Sequence, residues 1–368
     1  LKVNVCQGCW LVQSEDYAQA DALFKSDYAY FSSTSSTWLA HASEYSERMI
    51  AELNLDSESH VIELASNDGY LLQNFVAVNI PCLGIEPTAS TATVAASKGI
   101  PVLQEFFGEA LGMRLNEEGL QADLIAANNV YAHVPDINDF TRGIKAALKP
   151  GGVITLEFPH LLNLLTHTQF DTVYHEHFSY LSLSTVSRIF EAANLRVWDV
   201  ETLSTHGGSL RVFGCHGDDH RPIHESVGEL LAKEVRAGLE RLSTYQEFQS
   251  RAEQVKNDFL GFLILQKQAG KTVAGYGAAA KGNTLLNFAG VKSDLLPFIC
   301  DAAAAKQGKF MPGSHIPIVA PDELKRRRPD FVIIVPWNIA AEVRQQNAFI
   351  SEWGGQFVTA VPKLSILS

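Results

Sequence analysis

The feature that most restricts the fold of this chain is a series of short apolar runs, each followed by a segment of helical length. VIELAS (61–66), CLGIEP (82–87), VLQEF (102–106), DLIAANNV (123–130) and VITLEFP (153–159) succeed one another in this way. Runs without polar alternation are buried on both faces, as in the strands of a parallel sheet covered by helices. LRVWDVETL (195–203) and SLRVFGCH (209–216) are separated only by residues 204–208, which predicts an antiparallel hairpin closing that sheet. Residues 225–271 are charged, free of proline and helical in period, which predicts one or two connecting helices. Strand–helix alternation then resumes with KTVAGYG (271–277), LPFICDA (296–302), DFVIIVP (330–336) and QFVTAVP (356–362), a second and smaller α/β unit. Another helical pattern, from Thr37 to about Leu53, precedes the first sheet.

The 368 residues suit two or three such units. No stretch reaches the ~20 apolar residues of a membrane span, and the start carries no basic-then-apolar leader, so the chain reads as soluble and cytoplasmic with no membrane partner. A net charge of −12 argues against nucleic acid as a partner but leaves room for a local basic pocket that takes a phosphorylated ligand.

Ligands of an open parallel sheet sit beyond the carboxyl ends of its strands. The first strand runs into Glu63-Leu-Ala65-Ser66-Asn67-Asp68-Gly69, and the second ends at Glu86. This turn has one glycine where a diphosphate-binding G-x-G-x-x-G needs three, and it is acidic. It suits a cationic ligand without phosphate, S-adenosylmethionine (SAM). Glu63, Ala65, Ser66, Asn67 and Gly69 would surround the amino-acid portion, Glu86 would accept the ribose hydroxyls, and Asn128 ends the fourth strand nearby. The alternative is a turn whose Ser66, Asn67 or Asp68 caps a helix.

A second constellation contains His133, after the fourth strand, and the run Tyr174-His175-Glu176-His177. If that run is extended, His175 and His177 share one face and Tyr174 and Glu176 the other. Imidazoles with a tyrosine and a carboxylate at one sheet edge point to acid/base work, and H-E-x-x-H, the zinc-hydrolase signature, is absent. A third lies at Gly275-x-Gly277-x-x-Ala280, followed by Lys281 and Asn283 at a helix start. On pattern alone it supports an NAD-dependent sugar oxidoreductase or epimerase, with Asp301 on a ribose. It also fits an anion site at a helix N-terminus, or simply a tight turn. A sugar-nucleotide-binding protein without catalysis is a further reading, but it has no use for the histidines. Cys6-x-x-Cys9 is either half of a zinc site or a pair of free thiols, and Cys82, Cys215 and Cys300 lie singly in core strands.

Taken together, VIELASNDGYLL, GIEPT, NNVYAHVPD, YHEHFSYLS, THGGSLRVF and GYGAAAKGNTLLN resemble the SAM-dependent C-methyltransferases that act on nucleotide-linked 4-keto-deoxysugars. The resemblance covers nearly the whole chain. It implies a central Rossmann-like SAM methyltransferase sheet with an antiparallel hairpin, a smaller C-terminal Rossmann-like α/β domain, and a truncated N-terminal zinc-knuckle region. In those terms residues 1–50 are the remnant of the zinc domain and a linking helix, 51–220 the SAM domain, 221–270 the helical connection and 271–368 the sugar-nucleotide domain. Cys6 and Cys9 match the second of two zinc-binding pairs, with the first expected upstream. The family's catalytic base corresponds to His177, with Glu176 and Tyr174 beside it, His133 opposite, and Tyr28 lining the site. Gly277, Lys281, Asn283 and His206 are expected on the substrate, a dTDP-linked 4-keto-deoxysugar methylated at C3. Glu176 is the group expected to hold the tautomer of an imidazole.

Overall fold

The computed structural model describes residues 1–15 and 31–367; Tyr28 lies outside them. The chain opens with a hairpin, β1 (Val3–Val5) and β2 (Val12–Ser14), whose tip carries Cys6 and Cys9. A capped helix, Ser36–Leu53, follows, its first turn closed by the Ser35 hydroxyl accepting from the Trp38 amide. The first large sheet takes β3 (Val61–Leu64), β4 (Cys82–Ile85), β5 (Val102–Leu103), β6 (Ala122–Asn128) and β7 (Leu148–Pro159) as parallel neighbours. A two-residue strand, β8 (Ser179–Tyr180), leaves this sheet and pairs instead with β2. The predicted hairpin forms from β9 (Leu195–Leu203) and β10 (Ser209–His216), and β10 inserts between β7 and β9 to give the order β5-β4-β3-β6-β7-β10-β9. β5 is shorter than its apolar run, because Gln104 onward leaves the ladder.

Two helices, Glu225–Arg236 and Leu242–Gln268, lead to the second sheet. It contains β11 (Val273–Tyr276), β12 (Ile299–Cys300), β13 (Ile318–Val319), β14 (Phe331–Ile334), β15 (Gln356–Thr359) and an antiparallel closing strand, β16 (Ser365–Leu367). Their order is β13-β12-β11-β14-β15-β16, so strand order reverses at β11 just as it does at β3 in the first sheet. Each sheet has apolar clusters on its faces. Ala42, Tyr45 and Met49 of the helix Ser36–Leu53 join Val61, Leu124 and Phe213 on one face of the first. Phe259 and Leu263 of the long helix join Leu285, Ile299 and Ile333 at the second. Phe170, from the first unit, is buried in that second core and ties the two units together at this point.

Candidate active site

The turn after β3 is held in an unusual backbone state. Ala65 (φ 55°), Asn67 (φ 50°) and Gly69 (φ 74°) are all left-handed, and only the glycine adopts that region without cost. Three neighbouring groups stabilise it. Glu86, nearly buried, accepts the Asn67 amide at 2.9 Å through Oε2 and the Thr88 amide at 2.9 Å through Oε1. The Ser32 amide donates to Asn67 Oδ1 at 2.9 Å. Asp68 accepts from the Ser33 amide and hydroxyl, and its other neighbour is Lys98 at 4.0 Å. Asp68 therefore faces the chain's own Ser33 and Lys98.

What the turn leaves open lies beneath it. Both Glu63 oxygens, Ser66 Oγ and Asn128 Oδ1 are buried without a well-formed hydrogen bond among the described residues. Burial raises Glu63 well above the usual carboxylate range; the Tyr70 hydroxyl offsets part of this, and the charges of Glu86 and Asp68 add to it. Unsatisfied buried acceptors are costly, and a ligand bearing a cation and hydrogen-bond donors relieves them. The residues present therefore fit SAM, with Glu86 retaining lone pairs for a ribose.

The histidines converge at the same sheet edge by a different route from the one expected. His177 donates its amide to Tyr174 O at 3.0 Å, so residues 174–177 form a turn rather than an extended segment. His175 is consequently exposed while His177 is buried, and the two share no face. His133 follows β6 in a 3-10 turn, Tyr131–His133, and its ring meets that of His177 edge-on at 4.7 Å. Tyr174 lies against His177 at 4.0 Å. The tautomer of His177 is held by a backbone carbonyl and not by Glu176: Nδ1 lies 2.8 Å from Thr172 O. A carbonyl can only accept, so Nδ1 carries the proton and Nε2 keeps its lone pair. Burial is the main cause that holds His177 well below the ordinary imidazole value, with the neighbouring His133 and Lys281 acting in the same direction. His133 is lowered to about 4, again by burial. Both rings are neutral at pH 7.

Lys281, in the first turn of the helix Ala280–Phe288, reaches across from the second unit. Its Nζ donates to Asn338 Oδ1 at 2.7 Å and lies 4.6 Å above the Trp337 ring. Burial lowers its pKa, and its charge helps to keep His177 and His206 unprotonated. His206 sits in the β9–β10 connection at φ 52°; its Nε2 accepts from Asn129 Nδ2 at 3.1 Å, and burial lowers it to about 4. Asn283 is on the same helix as Lys281, with its Oδ1 buried and without a hydrogen bond among the described residues. Gly277 has φ 89°, and a Cβ there would stand 2.4 Å from Pro336 Cδ, so close approach of β11 and β14 requires glycine. Asp301, assigned by the NAD reading to a ribose, caps this turn from within: Oδ2 accepts the Ala278 amide at 2.7 Å and Oδ1 the Ala303 amide at 2.8 Å. Lys306 closes the arrangement by donating to Ala278 O at 3.0 Å.

A network that sequence reasoning missed links the helix Ser36–Leu53 to the hairpin. Glu157, fully buried at the end of β7, meets His41 Nε2 and Arg211 at 2.8 Å each and accepts from Thr205 at 2.9 Å. Trp38 stacks on His41 at 4.8 Å and meets His206 edge-on at 5.3 Å. The available signal was a charge within each of two apolar strand patterns, VITLEFP and SLRVFGCH. Cys6 and Cys9 sit in the turn of the first hairpin, where the Cys9 amide, followed by that of Gly8, lowers the Cys6 thiol. Among the described residues no cluster of three or more histidines, cysteines or carboxylates suited to a metal includes them. Two thiolates fill half of a tetrahedral zinc site, so the ligands described do not fit the ion.

Residues 38–200 match a family described as a methyltransferase domain, and residues 204–362 one described as a C-methyltransferase C-terminal domain. C-methyltransferase NovU of Streptomyces niveus is 34% identical over 368 residues, covering all of this chain and 87% of its own length. Among solved structures, the PH0226 protein of Pyrococcus horikoshii is 12% identical and aligns over 51% of this chain and 95% of its own, with a TM-score of 0.40. Magnesium protoporphyrin IX methyltransferase of Synechocystis, solved with bound SAH, is 13% identical over 48% of this chain and 81% of its own, with a TM-score of 0.38. With the NovU match spanning the whole chain and the two domain matches in the expected order, the chain belongs to the SAM-dependent deoxysugar C-methyltransferase family and is a SAM-dependent C-methyltransferase.

Proposed function

We propose that the chain methylates a nucleotide-linked 4-keto-deoxysugar on the carbon beside the ketone, with C3 of a dTDP-sugar as the best-fitting case. The observation that carries this reading is His177, a neutral imidazole with Nδ1 held by Thr172 O and Nε2 free to take a proton, at the edge where the two units meet. A ketone at C4 acidifies the C3 proton. His177 Nε2 takes that proton, and the electron pair of the broken C–H bond passes into the enolate. His133 or Tyr174, both against the His177 ring, donates to the enolate oxygen. When bound, SAM supplies the methyl group, which moves to the enolate carbon as its bond to sulfur breaks. His177 then returns its proton to solvent. Glu63, Ser66, Asn67 and Asn128 orient the amino-acid portion of SAM and Glu86 its ribose. Residues 271–368 hold the sugar nucleotide, with Gly277, Lys281, Asn283 and His206 lining its place.

The test is substitution of the base. Positioned acid/base groups contribute roughly 10²–10⁴-fold to rate, so His177→Ala should lose turnover on that scale while SAM still binds. His177→Gln keeps polarity but cannot accept the proton, and should be nearly as damaging; His175→Ala, at an exposed position, should be mild. In deuterated buffer with a methyl-free SAM analogue, wild type should exchange the C3 proton and His177→Ala should not. Exchange that persists in His177→Ala would assign the base elsewhere.

A further inference from the structure

We infer that Asp171 and Trp337 form a positioning contact through which the C-terminal unit sets the tautomer and placement of His177. The inference rests on His177 being the base. It begins with the 3-10 turn Phe170–Thr172, whose last carbonyl is the one that holds His177 Nδ1. The C-terminal unit holds this turn at three places, Phe170, Asp171 and Val173. Phe170 is buried in the second unit's core, with its ring 5.6 Å from that of Phe288. Asp171 Oδ2 accepts the indole N–H of Trp337 at 2.7 Å. Thr284 donates to the Val173 carbonyl at 2.7 Å. Thr172 O is thus placed by residues that lie more than a hundred positions further along the chain.

Asp171 is the ionisable member of this set, and its charge and that of the Lys281 ammonium also act on each other across the contact. It is 1% exposed, and its Oδ1 has no hydrogen bond among the described residues. A buried carboxylate with one oxygen unsatisfied is expensive and is retained where its position matters. Trp337 in turn packs over Gly207, beside His206, and under the Lys281 ammonium. A shift of Trp337 therefore moves Asp171, the turn and Thr172 O together. Release of Thr172 O removes the acceptor that holds Nδ1 among the described residues, and the ring is then free to carry its proton on Nε2, which can no longer accept one from the substrate.

The experiment reads the tautomer of His177 directly, from the nitrogen chemical shifts of histidine-labelled protein, with the signal assigned by its loss in His177→Gln. Wild type should show a single Nδ1–H form. Trp337→Phe keeps the ring but removes the donor, and Asp171→Ala removes the acceptor; both should give a mixture of tautomers and about tenfold lower kcat, with SAM affinity within twofold of wild type. Asp171→Asn keeps an oxygen to accept the indole N–H and should recover most of both. Should Asp171→Ala not fold, the pair Trp337→Phe and Asp171→Asn carries the same test. An unchanged His177 signal in Trp337→Phe, or Asp171→Asn no better than Asp171→Ala, overturns the inference. The tautomer measurement uses no sugar nucleotide, so an error in the substrate leaves it intact. A tautomer that shifts while proton exchange does not would instead remove His177 from the role of base.

Discussion

The two sheets repeat one device with opposite outcomes. In each, strand order reverses at the central strand, a turn follows that strand, and an acid at the end of the next strand accepts a backbone amide of the turn: Glu86 from Asn67 in the first sheet, Asp301 from Ala278 in the second. Beneath the first turn lie Glu63, Ser66 and Asn128, whose buried oxygens have no well-formed hydrogen bond among the described residues, with the Tyr70 hydroxyl nearby. The second turn is built from Ala278, Ala279 and Ala280, and Lys306 bonds to its carbonyl and approaches its acid at 3.5 Å. The first leaves its open acceptors directly beneath the turn; in the second the turn is bonded from within, and the open acceptor is Asn283 Oδ1 on the helix that follows. An acid at the second strand end is therefore no guide to a nucleotide unless the groups below the turn are left wanting.

The sharpest test of that contrast is to remove both acids. Glu86→Ala loses charge-assisted hydrogen bonds worth about 1.5–3 kcal/mol each, so SAM affinity in calorimetry should fall at least tenfold. Asp301→Ala should leave SAM affinity within twofold, and NAD should bind neither variant nor wild type. A comparable SAM loss in Asp301→Ala would mean that the two turns are coupled and the comparison is misdrawn. Next in size, Gly277→Ala should destabilise the chain by about 1–3 kcal/mol, because a left-handed position and a contact with Pro336 both resist a Cβ. Urea denaturation measures it.

Glu63→Gln sharpens the comparison through pH. Burial raises the folded-state pKa of Glu63, so the folded chain binds this proton more tightly than the unfolded one. Without SAM, stability should therefore fall as pH rises from the ordinary carboxylate range through the raised value, and Glu63→Gln should abolish that decline. SAM affinity should drop in the same variant, and a denaturation series across pH distinguishes the two effects. The smallest change is Ala65→Gly, which relieves one left-handed alanine and should be neutral or stabilising by about 1 kcal/mol or less. If it destabilises instead, the Ala65 methyl is packing usefully and the turn is less strained than its dihedrals indicate.

Much of this was legible before the structure, and the remainder was hidden for identifiable reasons. Unbroken apolar runs gave away the parallel strands, and five intervening residues gave away the β9–β10 hairpin. The turn at Tyr174–His177 has neither glycine nor proline to announce it, so an extended segment was the natural expectation and His175 was paired with the wrong neighbour. Thr172 holds His177 by its backbone, and a carbonyl has no residue-type signature. Glu157 meets His41 and Arg211 across 116 and 54 residues, a distance over which local pattern carries no information. Ala65 in a left-handed state runs against the residue's own preference, and Asp68 looked available because Ser33, its partner, stands 35 residues away.

The place of β10 has a further meaning for how the chain can be divided. The two family matches meet between residues 200 and 204, inside the hairpin, so the strand lying between β7 and β9 falls within the C-terminal match. Arg211, on that strand, is the partner of Glu157 on the other side of the border. Recombination at the border would therefore exchange an interior strand of the methyltransferase sheet along with the C-terminal unit. A new C-terminal half can be accepted only if it brings a cation for Glu157 and side chains that fit against β7, so the two halves must diverge as a matched pair.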